Sequence, residues 1–204
     1  MLWGDSHAID LYAGLQASME RKGFSLGVLT ASACSPIIGY SIAARPKCPS
    51  FNDHALATIL SIKPRIVILS AAWIITSNSM QLLDDTVRGL TRQGIKVVII
   101  GESPFYRLFV PALLAARIEA RDPNRIAKGE DLGLVRMEDT DKNMARSFGG
   151  RTDVTYIPLT PLICPKMECP LATPDGTPLY FDSEHLTKKG SEYFAKILTP
   201  LILP

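Results

Sequence analysis

Two apolar runs separated by one amphipathic segment constrain this chain more than any other feature. RIVILSA (65–71) and IKVVIIGE (95–102) are apolar at consecutive positions and rich in β-branched residues. A strand reads that way when both of its faces are buried, as in a parallel sheet covered by helices on each side. Between them, SMQLLDDTVRGLTRQG (79–94) carries a Met and Leu stripe at three- and four-residue spacing, which predicts a helix with one core-facing side. The alternation continues in both directions. AIDLYAGLQASMERK (8–22) reads as a helix ended by Gly23, FSLGVLTA (24–31) as a strand, and NDHALATILSIK (52–63) as a helix stopped at Pro64. Helices are expected near 109–118 and 137–147, a strand at DVTYIPL (153–159) and a closing helix at 187–202. The fold class is therefore α/β, a sandwich of helices around a central parallel sheet.

At 204 residues, with 47% hydrophobic and 21% charged residues, the chain is expected to form a single domain, residues 1–204, because no linker-like segment divides it. A net charge of +2 with scattered basic residues argues against nucleic acid as a partner. No apolar run reaches the roughly 18 residues of a membrane span, and no signal peptide is visible. Before Gly4 there is room for only three strand residues, where about five are usual. That abrupt start predicts a piece of a longer chain whose upstream part holds any targeting or membrane segment.

The four cysteines fall into two local pairs, Cys34 with Cys48 and Cys164 with Cys169, each in a proline-containing loop. Four cysteines allow three connectivities, and local pairing is the simplest. A bridge closing the first loop contributes roughly 3 kcal/mol in the chain-entropy model. Free thiols are one alternative. A four-thiolate zinc site is another, disfavoured because neither pair has the C-x2-C spacing of a zinc knuckle. Disulfides would place the chain in an oxidising compartment.

Chemistry is concentrated at the two ends. LWGDSHA puts Ser6 in a turn between a strand end and a helix start, where backbone N–H groups and the helix dipole favour negative charge. In parallel sheets, ligands bind beyond the carboxyl ends of strands. Near the other end, YFDSEHLTKKG sets Asp182 three residues before His185, a spacing at which the carboxylate can hold the imidazole tautomer and leave Nε2 as a base. Thr187 is placed to cap the closing helix. The bland readings are a helix cap for Ser6 and a surface turn for Asp182 and His185. Asp5 is expected to brace the turn through backbone N–H groups, and His7 and His54 are given no catalytic role.

GDSH and DSEH together resemble blocks I and V of the SGNH/GDSL hydrolase superfamily. With ACSP…C…FN, IVILSAAW, LICP…C and PLYFDSEHLTKKG, the likeness extends over nearly the whole chain. Together these stretches resemble one subgroup, the periplasmic SGNH domain fused to membrane acyltransferase family 3 proteins, which O-acetylate bacterial surface polysaccharides. The resemblance implies a three-layer α/β/α sandwich of flavodoxin-like type. It makes Ser6 the nucleophile, His185 the general base and Asp182 its orienter, and it aligns Gly39 with the block II glycine whose N–H helps form the oxyanion hole. Block III departs from the pattern, because Trp73 stands roughly where an asparagine donor is expected. Asn52 and Asn78 are the nearest amides that could replace it.

The residue-level alternatives remain open for three of these positions. Asn52 is an oxyanion donor or an ordinary N-cap, Trp73 is core or a stacking wall for a sugar ring, and Gly39 is a ligand-approach or a turn glycine. The resemblance implies a periplasmic O-acyltransferase domain, monomeric when isolated and tethered to the inner membrane in the full-length protein. It implies no cofactor and no metal, a carbohydrate acceptor, and an acyl donor delivered by a membrane domain outside this chain. A carbohydrate esterase that gives the acyl group to water is the alternative, and a non-catalytic carbohydrate-binding module is a second.

Overall fold

Apolar runs only five residues long must be laid side by side to bury their backbones, and a computed structural model shows how this chain does so. The structure describes residues 1–73, 77–121 and 125–204, and of residues 77–78 and 134–138 the backbone alone. It forms two compact units, each assembled from three segments. The first consists of Met1–Ile9, Gly27–Gly101 and Lys142–Ile157, and the second of Asp10–Leu26, Glu102–Asp141 and Pro158–Pro204.

The first unit contains the sheet. Strands β1 (Leu2–Gly4), β2 (Val28–Thr30), β3 (Ile66–Ser70), β4 (Lys96–Ile100) and a fifth at Val154–Ile157 lie in the order β2, β1, β3, β4, fifth. All four pairings are parallel, with Leu2 opposite both Val28 and Ile68. Because side chains alternate across a strand, Trp3, Val67, Leu69, Val97 and Ile99 fall on one face and enter one buried cluster. Against that face pack Ala55 and Ile59 of α2 (Cys48–Ile62) and Leu83, Val87 and Leu90 of α3 (Ser77–Thr91). The opposite face is equally dry, with Leu2, Ile68, Val98 and Ile100 all buried. This double burial is what the unbroken apolar runs predicted. Helix α2 starts four residues before the expected boundary, at Cys48, with Pro49 in its first turn, where a missing N–H costs nothing.

The strand order reverses at β1, since the chain passes to β2 on one side and to β3 on the other. The carboxyl end of β1 is therefore the crevice where such sheets bind ligands. Gly4 closes that end tightly. A Cβ on it would lie 1.7 Å from the Ser70 carbonyl oxygen and 2.8 Å from Ala8 Cβ, so only glycine lets β1 run directly into α1 (Ser6–Glu20).

In the second unit, α4 (Val110–Glu119), β5 (Ile126–Ala127), α5 (Leu134–Phe148, up to Asp141), α6 (Leu159–Ile163), β7 (Cys169–Pro170) and α7 (Lys188–Ile202) join the later turns of α1; the fifth sheet strand takes the label β6. The short strands β5 and β7 pair antiparallel. Residues Gly190, Ser191, Phe194, Ala195, Leu198 and Ile202 form the buried stripe of α7. Ser191 Oγ accepts the backbone N–H of Gly14 at 2.9 Å. Thr187 caps α7, accepting from Gly190 N at 3.0 Å while its own hydroxyl donates to Pro178 O at 2.7 Å. Among the described residues no helix is long and apolar enough to cross a membrane.

Both expected bridges are present. Cys34–Cys48 lies in the first unit with its Cα atoms 5.5 Å apart, and Cys164–Cys169 lies in the second.

Candidate active site

The Gly-Asp-Ser turn is built around the Asp5 carboxylate, which is buried. Its Oδ1 accepts from His7 N at 2.9 Å, in the manner of a helix N-cap, and its Oδ2 accepts from Ala72 N at 3.0 Å just beyond β3. Asp5 thus satisfies an otherwise orphaned N–H of α1 and pins the turn to the neighbouring strand end. The bland reading of Ser6 was that it capped this helix. Asp5 holds that post, and Ser6 is the first helical residue, half-buried, one position on.

In the second unit, Asp182 and His185 sit on a loop closed at its base by Phe181 N donating to His185 O at 3.0 Å. Asp182 Oδ1 accepts from Glu184 N at 2.8 Å and from His185 N at 2.7 Å. The other oxygen, Oδ2, lies 2.7 Å from His185 Nδ1. Burial raises the Asp182 carboxyl, but the Glu184 and His185 backbone N–H groups and then the His185 ring outweigh it and hold it below the usual carboxylate range. An ionised carboxylate only accepts hydrogen bonds, so Nδ1 carries a proton, and in the neutral ring Nε2 is the basic nitrogen. Phe181 stacks on the imidazole, with centroids 5.7 Å apart and planes 15° from parallel, so the ring is fixed from its face as well as its edge.

Two residues that hold this loop escaped the sequence reading. Asp10 Oδ2 accepts from Leu186 N at 3.0 Å; the available signal was an acid one turn after Ser6, between Ile9 and Leu11. Phe181 was visible only as the neighbour of Asp182.

Three expectations for the oxyanion region meet different facts. Asn52 is fully buried, its Nδ2 donates to Ser35 O at 2.9 Å and Ile37 O at 3.0 Å, and its Oδ1 accepts from Trp3 Nε1 at 3.1 Å. Both amide hydrogens are committed, so Asn52 ties the loop after β2 to the core instead of facing a substrate oxygen, and it lies within α2 rather than at its cap. Trp73 is also fully buried, with Nε1 donating to Ile100 O at 2.7 Å, so its ring is core and offers no face to a sugar. Gly39 adopts φ +76° and is exposed against Leu82 of α3. The preceding N–H, that of Ile38, donates to Thr86 Oγ1 at 3.0 Å, nine residues into α3 and hence about 13 Å along it. Gly39 therefore lies beside the middle of the helices, away from the strand ends. The side chain of Asn78 lies outside the described residues. In the turn after β2 itself, a different residue has positive φ, Ala33 at 51°.

A family model described as the SGNH domain fused to AT3 domains matches residues 1–200. The chain belongs to this family. The SGNH domain superposes on the periplasmic domain of a lipopolysaccharide acetyltransferase from Salmonella ser. Paratyphi A with a TM-score of 0.84, at 17% identity, over 100% of this chain and 83% of that one. It superposes on TesA with a TM-score of 0.53, at 14% identity, over 100% and 97% of the two chains. No curated protein matches the sequence. At these identities the structural likeness establishes the fold, a three-layer α/β/α arrangement around the five-stranded parallel sheet. The SGNH fold supports acyl transfer or hydrolysis, and the family's fusion to AT3 domains implies a membrane acyltransferase as partner domain.

Proposed function

We propose that this SGNH domain is a serine-dependent O-acyltransferase that acetylates a hydroxyl of a bacterial surface carbohydrate. In the proposed reaction, Ser6 Oγ attacks the carbonyl carbon of an acyl ester or thioester supplied through the membrane domain, and its proton passes to His185 Nε2. The donor's leaving group takes that proton as its bond to the acyl carbon breaks. A sugar hydroxyl then loses its proton to Nε2, attacks the acyl-Ser6 ester and leaves as the O-acyl sugar, and the proton returns to Ser6. Asp182 orients the imidazole throughout and stabilises it when charged. With Asn52 and Trp73 committed elsewhere, oxyanion stabilisation falls to backbone N–H groups at the start of α1 and in the strained turn at Ala33.

The observation that carries this reading is the oriented Asp182–His185 pair, with Nδ1 2.7 Å from the carboxylate, in a member of a family fused to membrane acyltransferases. The same kinship supports a periplasmic location, with the domain tethered to the inner membrane, as do the two disulfides. Ser6 is only half-buried, so water can reach an acyl-enzyme, and hydrolysis is the second reading. Intact-mass spectrometry after mixing with an activated acetyl ester tests the first half of the cycle. Addition of one acetyl group, located on Ser6 and absent in Ser6→Ala, is the expected result, and acetylation that survives the substitution refutes the proposal. Product analysis with an added sugar acceptor then separates transfer from hydrolysis.

A further inference from the structure

The turn after β2, the segment leading into α2 and the first turns of α2 line an open cavity of about 650 Å³ that no step above uses. The Cys34–Cys48 bridge, Pro46 and Phe51 give it apolar walls, while Arg45, Lys47 and His54 stand around it, and no Asp or Glu lines it. Elsewhere in this unit Arg88 pairs with Asp84, and Arg151 with Asp84 and Asp153. Arg45 instead donates from Nε to Ser32 O at 3.1 Å and from Nη1 to Ala44 O at 3.2 Å. Those two bonds fix the guanidinium plane and leave Nη2 without a protein partner among the described residues. The Lys47 ammonium and the His54 ring likewise have none there.

A bare anion would need the cations but not a hydrophobic wall, and a neutral sugar would need the wall but not the cations. The volume is that of a small-molecule site. A planar guanidinium with outward donors suits a carboxylate or phosphate, and Phe51 with Pro46 suits the C–H face of a pyranose ring. We propose that this cavity binds an acidic sugar residue, one bearing a carboxylate or a phosphate. Resting on the acyl-transfer reading, that residue belongs to the acceptor polysaccharide. Its position suits the task, because Ala31, which lines the cavity, donates its N–H to Gly4 O at 3.2 Å, two residues before Ser6.

The test is calorimetric or NMR titration of the domain, with no acyl donor present. The probes are a galacturonate trisaccharide, its carboxyl-reduced counterpart, a hexose 6-phosphate and inorganic phosphate. The acidic trisaccharide or the sugar phosphate should bind at least about 10-fold tighter than the reduced trisaccharide, and salt should weaken it. Whichever of the two binds tighter identifies the anionic group. Lys47→Gln and Arg45→Gln should each weaken binding about 10-fold or more. Because Arg45 also holds the loop through backbone carbonyls, Lys47→Gln with an unchanged thermal transition is the decisive variant. The proposal is overturned by equal affinity for the reduced trisaccharide, by inorganic phosphate binding as tightly as the sugars, by unchanged affinity in Lys47→Gln, or by no binding of any probe near 10 mM. Binding intact without acetylation of Ser6 would sink only the acyl-transfer reading, and acetylation without binding would sink only this cavity's assignment.

Discussion

Replacing Asn52 by alanine separates a structural asparagine from a catalytic one. The amide is fully buried and serves three groups, the Trp3 indole N–H and the carbonyls of Ser35 and Ile37. Alanine leaves the Trp3 indole N–H without its acceptor, at about 1–3 kcal/mol for a buried group left unsatisfied. The Ser35 and Ile37 carbonyls each lose one bond, at about 1 kcal/mol net apiece, but still accept from Ile37 N at 2.8 Å and Tyr40 N at 3.2 Å. Some relaxation or an entering water reduces the sum, so a loss of about 3 kcal/mol is expected, large against the roughly 5–15 kcal/mol that holds a domain together. For a chain of this length that lowers Tm by about 6–12 °C. Trp3 and Trp73 are both buried, so intrinsic fluorescence during urea and thermal unfolding reports the change. The kcat for an activated acetyl ester, measured well below the new transition, should stay within a few-fold of the parent. An unchanged unfolding midpoint with kcat reduced about 100-fold, the signature of a lost oxyanion donor, would refute this reasoning.

Ser6→Ala should lower kcat by about 10⁴-fold or more and leave Tm nearly unchanged, because Asp5 caps α1; a large Tm loss with retained turnover would contradict both statements. The Asp182 carboxyl has its folded-state pKa below the ordinary 3.8, so its contribution to stability is fully present above that value and is lost as pH falls through the folded pKa. Melting curves of the parent and Asp182→Asn should therefore run parallel from about pH 5 to 8 and converge in stronger acid; a constant offset throughout would contradict the assignment. Alkylation before reduction should label no cysteine, and the Cys34→Ser, Cys48→Ser pair should lower stability by about 3 kcal/mol in urea unfolding. An unaffected midpoint would show that the bridge constrains nothing.

The central sheet was readable because β3 and β4 are short, apolar and rich in β-branched residues, and because Leu83, Val87 and Leu90 repeat at helical spacing. Periodicity reports faces, so it found α2 and α3 and missed β5, β7 and α6, whose two to five residues are too few to show a period. The Asp182–His185 pair was legible because three residues of separation suffice to bring the groups together through a local turn. Asn52, Trp73 and Gly39 could not be placed the same way. Their roles depend on which carbonyl or helix turn they meet, and Trp73 finds its partner 27 residues along at Ile100. Motif alignment assigned Gly39 by residue type, whereas the positive φ nearest the end of β2 belongs to an alanine.

The bonds joining α1 to the end of the chain also order its biogenesis. Gly14 N waits for Ser191 Oγ, 177 residues later, and the Asp10 carboxylate waits for Leu186 N, 176 residues later. At about 5–20 residues per second of synthesis, α1 emerges many seconds before either partner exists. Closure of the first helix onto the last therefore waits until Leu186 and Ser191 have been made, whereas the Cys34–Cys48 loop can be oxidised as soon as its fifteen residues are exposed to an oxidant. A nascent chain halted before α7 would carry its first disulfide and its Gly-Asp-Ser turn but an unanchored histidine loop, and proteolysis of such intermediates should cut first between α6 and α7.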